Sequence, residues 1–127
     1  TPYHLSPIEA PASVARAVLF KDAVLAPLGA PVCDVVTLAK RDIKKGERFD
    51  GIGGFLTYGA IDNADVCLKN NLLPIGLADG CIATEDIPMD TAITYKRVKL
   101  PKGRLADKLR DEQNKKFTFK NKRRENS

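Results

Sequence analysis

The sequence has no tryptophan, one histidine and three cysteines among 127 residues, and no two cysteines form a Cys-x-x-Cys pair. A structural zinc site needs several Cys or His ligands at short spacings, and a catalytic triad needs a nucleophile placed beside its base. We therefore expect neither a metal site nor catalytic residues in this chain. Cys33, Cys67 and Cys81 are interpreted as buried free thiols, which is typical of a cytoplasmic protein.

Long apolar runs are also missing. No stretch approaches the roughly 18 apolar residues that a membrane-spanning helix needs. The first ten residues, TPYHLSPIEA, lack the basic and apolar regions of a secretory signal peptide. These features predict a cytoplasmic protein without a membrane partner.

The positive charge is concentrated at one end of the chain. The formal net charge is +5, and residues 115–127 hold six Lys or Arg and one Glu, so the remaining residues sum to zero. A nucleic-acid-binding domain should carry its basic patch on a folded face. We expect a basic flexible tail over 118–127 and regard nucleic acid as an unlikely partner, although a tail contact with RNA or an acidic protein stays open.

Local signals divide the rest of the chain. Ser6, Pro7 and Glu9 match a capping box, but Pro11 should interrupt a helix there, so we place the first helix over about 11–21. The residues 1–31 are assigned to an N-terminal junction and helix. The run PVCDVVTLAK is rich in β-branched residues and predicts a strand. A second helix is expected over 102–117.

One internal similarity links two parts of the predicted β region. The segments 39–50 (AKRDIKKGERFD) and 83–94 (ATEDIPMDTAIT) align without gaps at an offset of 44 residues. The match predicts a pseudo-symmetric β unit in which Ile43 and Ile87 fill the core from related positions. Asp42 and Asp86 are expected to accept backbone N–H groups within their own turns. Asp86 and Asp90 are interpreted as turn formers rather than as an acid–base pair.

Residues 32–101 resemble a known fold family. The runs VVTLAKRDIKKGERFD and GLADGCIATEDIPMDTAITYKRVKL are similar to the SAF domain, which includes type III antifreeze proteins and the C-terminal domain of sialic acid synthases. The resemblance implies a mostly β chain with flanking helices, built on a β-clip core of short strands. Ice binding is disfavoured because Asp90 replaces a neutral residue of the antifreeze motif, and a charged group is strongly hydrated.

A narrower resemblance covers most of the chain. PYHL, DGIGGFLTYG and LLPIGLADGC, in this order, are similar to the C-terminal region of homoserine-dehydrogenase-like NAD(P)-dependent oxidoreductases, which include 1-deoxy-D-xylulose 5-phosphate reductoisomerase-like enzymes. The resemblance implies an accessory domain that helps to form or cover a substrate site. It also implies N-terminal Rossmann and catalytic domains as partners in the same polypeptide, which would bind NAD(P) while this domain binds no cofactor. A homo-oligomer is compatible with it.

The glycine-rich stretch 49–62, FDGIGGFLTYGAID, has three interpretations. The first is a loop that binds a nucleotide phosphate, which is disfavoured because the spacing departs from G-x-G-x-x-G and no helix start follows Gly54. The second and main interpretation is a set of turns between short β segments. The third is a loop that reaches a neighbouring active site, where glycines allow close approach and polar groups contact substrate. The candidate substrate-binding residues are His4, Asp50, Gly53, Gly54, Thr57 and Tyr58.

His4 has two interpretations of its own. It lies in PYHL near the expected junction with another domain, so it packs or hydrogen-bonds at that hinge, or it supports substrate binding in an intact enzyme. The alternative function for the whole chain is a stand-alone SAF module that binds a sugar acid or carbohydrate.

Overall fold

The described residues form three α-helices and four strands, and the chain divides into two compact units. The computed structural model describes residues 5–23, 25–27 and 29–124, and of residues 118–124 it describes the backbone alone. The units are Thr1–Ala30 and Pro31–Ser127. The elements, in chain order, are α1 (Ser6–Phe20), β1 (Cys33–Ala39), β2 (Thr57–Asn63), α2 (Ala64–Lys69), β3 (Ile82–Ala83), β4 (Val98–Lys99) and α3 (Leu105–Arg124).

Helix α1 begins earlier than its sequence signals predicted. The N-cap is Leu5 and makes no side-chain capping bond, so Ser6 lies inside the helix and the predicted capping box does not form. Pro11 lies inside the helix rather than at its start, so the predicted start at residue 11 is wrong. A proline in the helix interior removes one backbone hydrogen bond, and α1 forms in spite of that loss. The helix ends at Phe20, and the C-cap residue Lys21 has a left-handed φ of 54°.

The second unit is built from two small antiparallel sheets. Strands β1 and β2 pair in a register that sets Leu38 opposite Tyr58, and β3 and β4 set Ile82 opposite Lys99. Short 3₁₀ turns at Ile75–Leu77 and Tyr95–Arg97 connect these strands. Helix outweighs strand in the described residues, so the chain is a mixed α and β protein rather than a mostly β one.

Backbone hydrogen bonds repeat at the offset of 44 residues that the sequence match predicted. Ile43 and Ile87 exchange both of their backbone hydrogen bonds, at 2.9 and 2.8 Å. The Gly46 N–H donates to the Ala83 carbonyl at 2.8 Å. In the equivalent bond the Asp90 N–H donates to the Ala39 carbonyl, also at 2.8 Å. The same offset relates Phe49 N to Cys81 O and Ile93 N to Thr37 O, both at 2.8 Å. Residues 37–58 form the first half of this arrangement and residues 81–99 form the second half.

The core lies between the two halves, as predicted for Ile43 and Ile87. Both isoleucines are buried, with exposed fractions of 0% and 1%, and so are the counterparts Phe49 and Ile93. Gly46 and Asp90 occupy equivalent turns, and both have left-handed backbones, with φ of 91° and 59°. Glycine tolerates such a φ freely, and aspartate is among the few other residues that tolerate it.

The two aspartates of the repeat make contacts that differ from the expected ones. Asp42 accepts the N–H of Met89 at 2.8 Å, and Asp86 accepts the N–H of Lys45 at 2.9 Å. Each carboxylate therefore caps the turn of the opposite half rather than its own turn, because the antiparallel Ile43–Ile87 bridge brings the two turns side by side. These reciprocal caps tie the halves together.

Helix α3 continues to Arg124, beyond the end predicted at residue 117. The inward side of α3 is polar. Arg104, which directly precedes the helix, donates to the carbonyls of Leu77 and Asp79 at 2.9 and 2.8 Å and pairs with Asp107. The two leucines that indicated helical spacing, Leu105 and Leu109, are exposed. The start of α3 is therefore held to the second unit by hydrogen bonds and ion pairs instead of apolar packing.

Candidate functional site

The candidate site is the loop 50–56 that joins the first half to β2, and Asp50 holds this loop in place. The Asp50 carboxylate accepts the N–H of Phe55 at 2.6 Å and the N–H of Leu56 at 3.3 Å. The Phe55 N–H is the main cause that lowers the pKa of Asp50 below its ordinary value. An ionised Asp50 thus closes the loop by accepting donors that would otherwise point into solvent.

The glycines of this loop serve its geometry. Gly51 and Gly53 both have φ of 82°, which L side chains rarely adopt. A Cβ atom on Gly54 would lie 2.3 Å from the Asp50 carboxylate carbon, so only glycine fits beside the capping group. No helix starts at Gly54, and β2 begins at Thr57. The interpretation as turns is therefore confirmed, and the arrangement lacks the strand-to-helix turn of a dinucleotide-binding loop.

Two large apolar side chains project from the loop. Ile52 is 74% exposed and Phe55 is 82% exposed. Phe55 directly follows Gly54, and its backbone is the one that Asp50 fixes, so this aromatic ring extends from an anchored main chain. Exposed aromatic residues on a constrained loop are typical of contact surfaces.

The loop has no equivalent of the same length in the second half. Eight positions separate Phe49 from Thr57, whereas five positions separate their counterparts Ile93 and Val98. The first half therefore holds three additional residues at this point. The second half forms equivalent backbone hydrogen bonds with the shorter connection, whereas the longer loop also supplies the buried side chain of Leu56 to the core.

The remaining candidates on β2 have different surroundings. Thr57 is 3% exposed and occupies the position that buried Val98 takes in the second half. Tyr58 is half-buried, and its hydroxyl donates to the Asp90 carboxylate at 2.9 Å, which is the main cause that raises the pKa of the phenol. Asp50 and Gly54 thus lie together, while Tyr58 joins the turn at Asp90. His4 lies outside the described residues.

A second polar cluster was not identified from the sequence. Asp34 forms an ion pair with Arg110 of α3, and both side chains are largely buried. Tyr95 is half-buried nearby, and burial is the main cause that raises the pKa of its phenol. The charged residues of α3 are visible in the sequence. Their partners are not predictable from it, because Asp34 lies 76 positions before Arg110. This cluster fixes α3 and is structural.

The cysteines match their expected environment in part. Cys67 and Cys81 are buried free thiols, and burial raises the pKa of both. Cys33 is also free but exposed, so its predicted burial is wrong. Within residues 5–23, 25–27 and 29–124, no group of three or more His, Cys, Asp or Glu side chains is arranged to hold a metal ion.

Comparisons with known proteins give no family assignment. No protein-family model matches the chain, and no curated protein matches it significantly. In the part of the chain that the structure describes, no helix is both long and apolar enough to cross a membrane.

Proposed function

We propose that residues 32–101 form a β-clip domain of SAF type that serves as the C-terminal accessory domain of an NAD(P)-dependent oxidoreductase resembling homoserine dehydrogenase. In this proposal the domain covers the substrate site of a preceding catalytic domain and performs no chemistry alone. NAD(P) binds the preceding Rossmann domain. A cytoplasmic location follows from the same proposal.

The observation that carries the proposal is the anchored loop with two exposed apolar side chains. Ile52 and Phe55 expose most of their surface to water, and burying side chains of this kind contributes about 1.5–3 kcal/mol each. The second half has three residues fewer at this point. A loop that is anchored through Asp50 and exposes two large apolar side chains suits a cover that closes over a neighbouring domain.

The polar groups at the base of the loop support the same interpretation. The Lys40 ammonium donates to the Gly54 carbonyl at 3.3 Å, and Arg41 pairs with Glu47 close to Asp50. The Lys40 ammonium thus helps to hold the loop, and the Arg41 charge favours the ionised form of Asp50. Protein contact surfaces commonly combine apolar side chains with polar groups nearby.

The test joins the chain to the polypeptide encoded upstream in its reading frame and measures NAD(P)H-dependent turnover. Ile52→Ser with Phe55→Ser should lower kcat/KM roughly tenfold or more, because a misplaced cover disturbs substrate positioning. Leu105→Ser with Leu109→Ser removes two exposed apolar side chains of α3 and is the matched control, which should leave turnover unchanged. Urea denaturation of both variants checks that the fold is retained.

Two outcomes contradict the proposal. Turnover by the 127-residue chain alone would show that it carries its own chemistry. Saturable calorimetric binding of a sugar acid to the chain alone, with no change in kcat/KM for the loop variant, would favour a stand-alone binding module.

A further inference from the structure

One row of side chains carries no charge in the first half, whereas the equivalent row in the second half carries two cations. In the first half, Ala92, Leu38 and Tyr58 lie side by side across three neighbouring backbone segments, and all three are half-buried. The offset of 44 relates Ala92 to Arg48 and Leu38 to Ile82. The pairing register relates Tyr58 to Lys99, at an offset of 41 because the loop before Tyr58 is three residues longer. All three members of this second row are exposed. Hereafter Arg48, Ile82 and Lys99 are called the cationic row.

Register determines that the row forms one surface. Arg48 bridges Ile82, and Ile82 pairs with Lys99, so the three side chains project from the same face of the small sheet. Two strand spacings separate the outer members, which sets their backbones about 10 Å apart. Ile82 lies between the two cations and is 39% exposed. The surface therefore combines two positive charges with a central apolar contact.

Neither cation has an acidic partner within the part of the chain that the structure describes. Among the described residues, Arg48 and Lys99 form no ion pair, whereas the nearby Arg97 pairs with Glu85 and Arg104 pairs with Asp107. The Arg48 guanidinium lies over Gly80, beside Pro101, where a Cβ on that glycine would stand 3.4 Å from Nη2. Since the first half forms the same backbone bridges with alanine and tyrosine at these positions, the charges are not needed for pairing.

We propose that the cationic row is a docking surface for an acidic, partly apolar segment of a partner protein. Charge complementarity selects carboxylates for the two outer positions, and Ile82 selects an apolar side chain between them. An apolar centre distinguishes this surface from a nucleic-acid site, where cations alternate with aromatic rings or face phosphates. The row shares no residue with the loop 50–56, and this proposal does not depend on the covering role of that loop.

The experiment titrates the isotopically labelled full chain with acetyl-Glu-Glu-Leu-Glu-Glu-amide and follows each backbone amide by NMR. Saturable shifts are expected at the amides of Arg48, Gly80, Ile82 and Lys99, and they should weaken as salt is raised. The peptide acetyl-Lys-Lys-Leu-Lys-Lys-amide is the charge control and should cause no shifts in the row.

Matched variants test the residues themselves. Arg48→Glu with Lys99→Glu should raise the dissociation constant measured at the Ile82 amide about tenfold. Lys69→Glu with Lys108→Glu makes the same change in net charge at exposed positions elsewhere and should alter it less than about twofold. If the charge reversal disturbs the spectrum outside the row, Arg48→Gln with Lys99→Gln replaces it, with a smaller loss expected.

Three results would overturn the proposal. The first is an absence of saturable shifts in the row. The second is a set of shifts confined to residues 115–127, which would assign the binding to the basic end of the chain. The third is tighter binding of an oligothymidylate than of the acidic peptide at the row, which would make this surface a nucleic-acid site.

Discussion

The first half of the β unit (37–58) and the second half (81–99) share their backbone bonding and differ in what they present to solvent. Both contribute a buried isoleucine, a left-handed turn residue and an aspartate that caps the opposite turn. Only the first half carries the long glycine loop, and only the second carries exposed cations on its outer row. The shared features identify what the fold requires, so the unshared ones are the candidates for function.

The shared core gives the largest expected effect. Ile43→Ala and Ile87→Ala should each lower the free energy of unfolding by about 2–5 kcal/mol, because each removes buried methyl groups and leaves a cavity. The two losses should agree within about 1 kcal/mol if the halves are equivalent in the core. Urea denaturation followed by circular dichroism measures both.

Ile61→Ala is the control for these variants, because Ile61 is 71% exposed. This substitution should lower the free energy of unfolding by less than about 1 kcal/mol. A near-neutral result for either core isoleucine would break the equivalence of the halves.

The glycine loop gives the next largest effect and sharpens the difference between the halves. Gly54→Ala places a methyl group against the Asp50 carboxylate and should lower the free energy of unfolding by about 1–3 kcal/mol. It should also speed hydrogen exchange of the Phe55 amide, which donates to that carboxylate. Gly76→Ala is the matched control, since Gly76 has open space around it and no left-handed φ. Equal effects of the two substitutions would mean that Asp50 does not hold the loop.

Low pH should lower the free energy of unfolding by protonating Asp50. The pKa of Asp50 is lower in the folded protein than its ordinary value of 3.8, chiefly because Phe55 donates to the ionised carboxylate. A carboxyl with a depressed folded pKa stabilises the fold above its unfolded pKa, and this stabilisation is lost as the pH falls through the folded value. Unfolding measured between about pH 2 and pH 5 should therefore depend less on pH in Asp50→Asn.

Asp79→Asn is the control for the acid measurement, because no hydrogen bond to the Asp79 carboxylate occurs among the described residues. A variant at Asp50 that follows the wild-type pH dependence throughout that range would contradict the proposed anchoring.

The smallest effect concerns the contact between β2 and the turn of the second half. The Tyr58 hydroxyl donates to Asp90, which raises the pKa of the phenol because a phenolate beside a carboxylate is disfavoured. In Asp90→Asn the Tyr58 phenol should titrate at lower pH, as followed by NMR of the ring. Thr91→Ser leaves the carboxylate in place and should not move the titration. An unchanged Tyr58 titration in Asp90→Asn would show that the two halves do not meet there.

The sequence was most informative where local chemistry and tertiary structure agree. The gapless match between the repeats predicted the positions of Ile43 and Ile87, because a buried residue and a turn residue at fixed spacing are both local signals. The glycines were predicted as turns for the same reason, since left-handed backbone favours that residue type.

The sequence was least informative where the partner lies far along the chain. Asp42 and Asp86 cap each other's turns across the antiparallel bridge, and no local pattern distinguishes this arrangement from capping their own turns. The sequence predicts Thr57 as a polar contact for substrate, yet Thr57 is buried at the position equivalent to Val98. The start of α3 packs through Arg104, Asp107 and Arg110, which contradicts the usual rule that apolar side chains face inward.

Folding should not require the three additional loop residues of the first half, and a deletion variant tests this directly. Deleting Gly51, Ile52 and Gly53 shortens the loop to the length found in the second half. The deletion variant should still unfold cooperatively in urea and keep the Ile43 and Ile87 amides protected from hydrogen exchange. Loss of that protection, or of cooperative unfolding, would show that the loop is part of the folding core and would contradict the account.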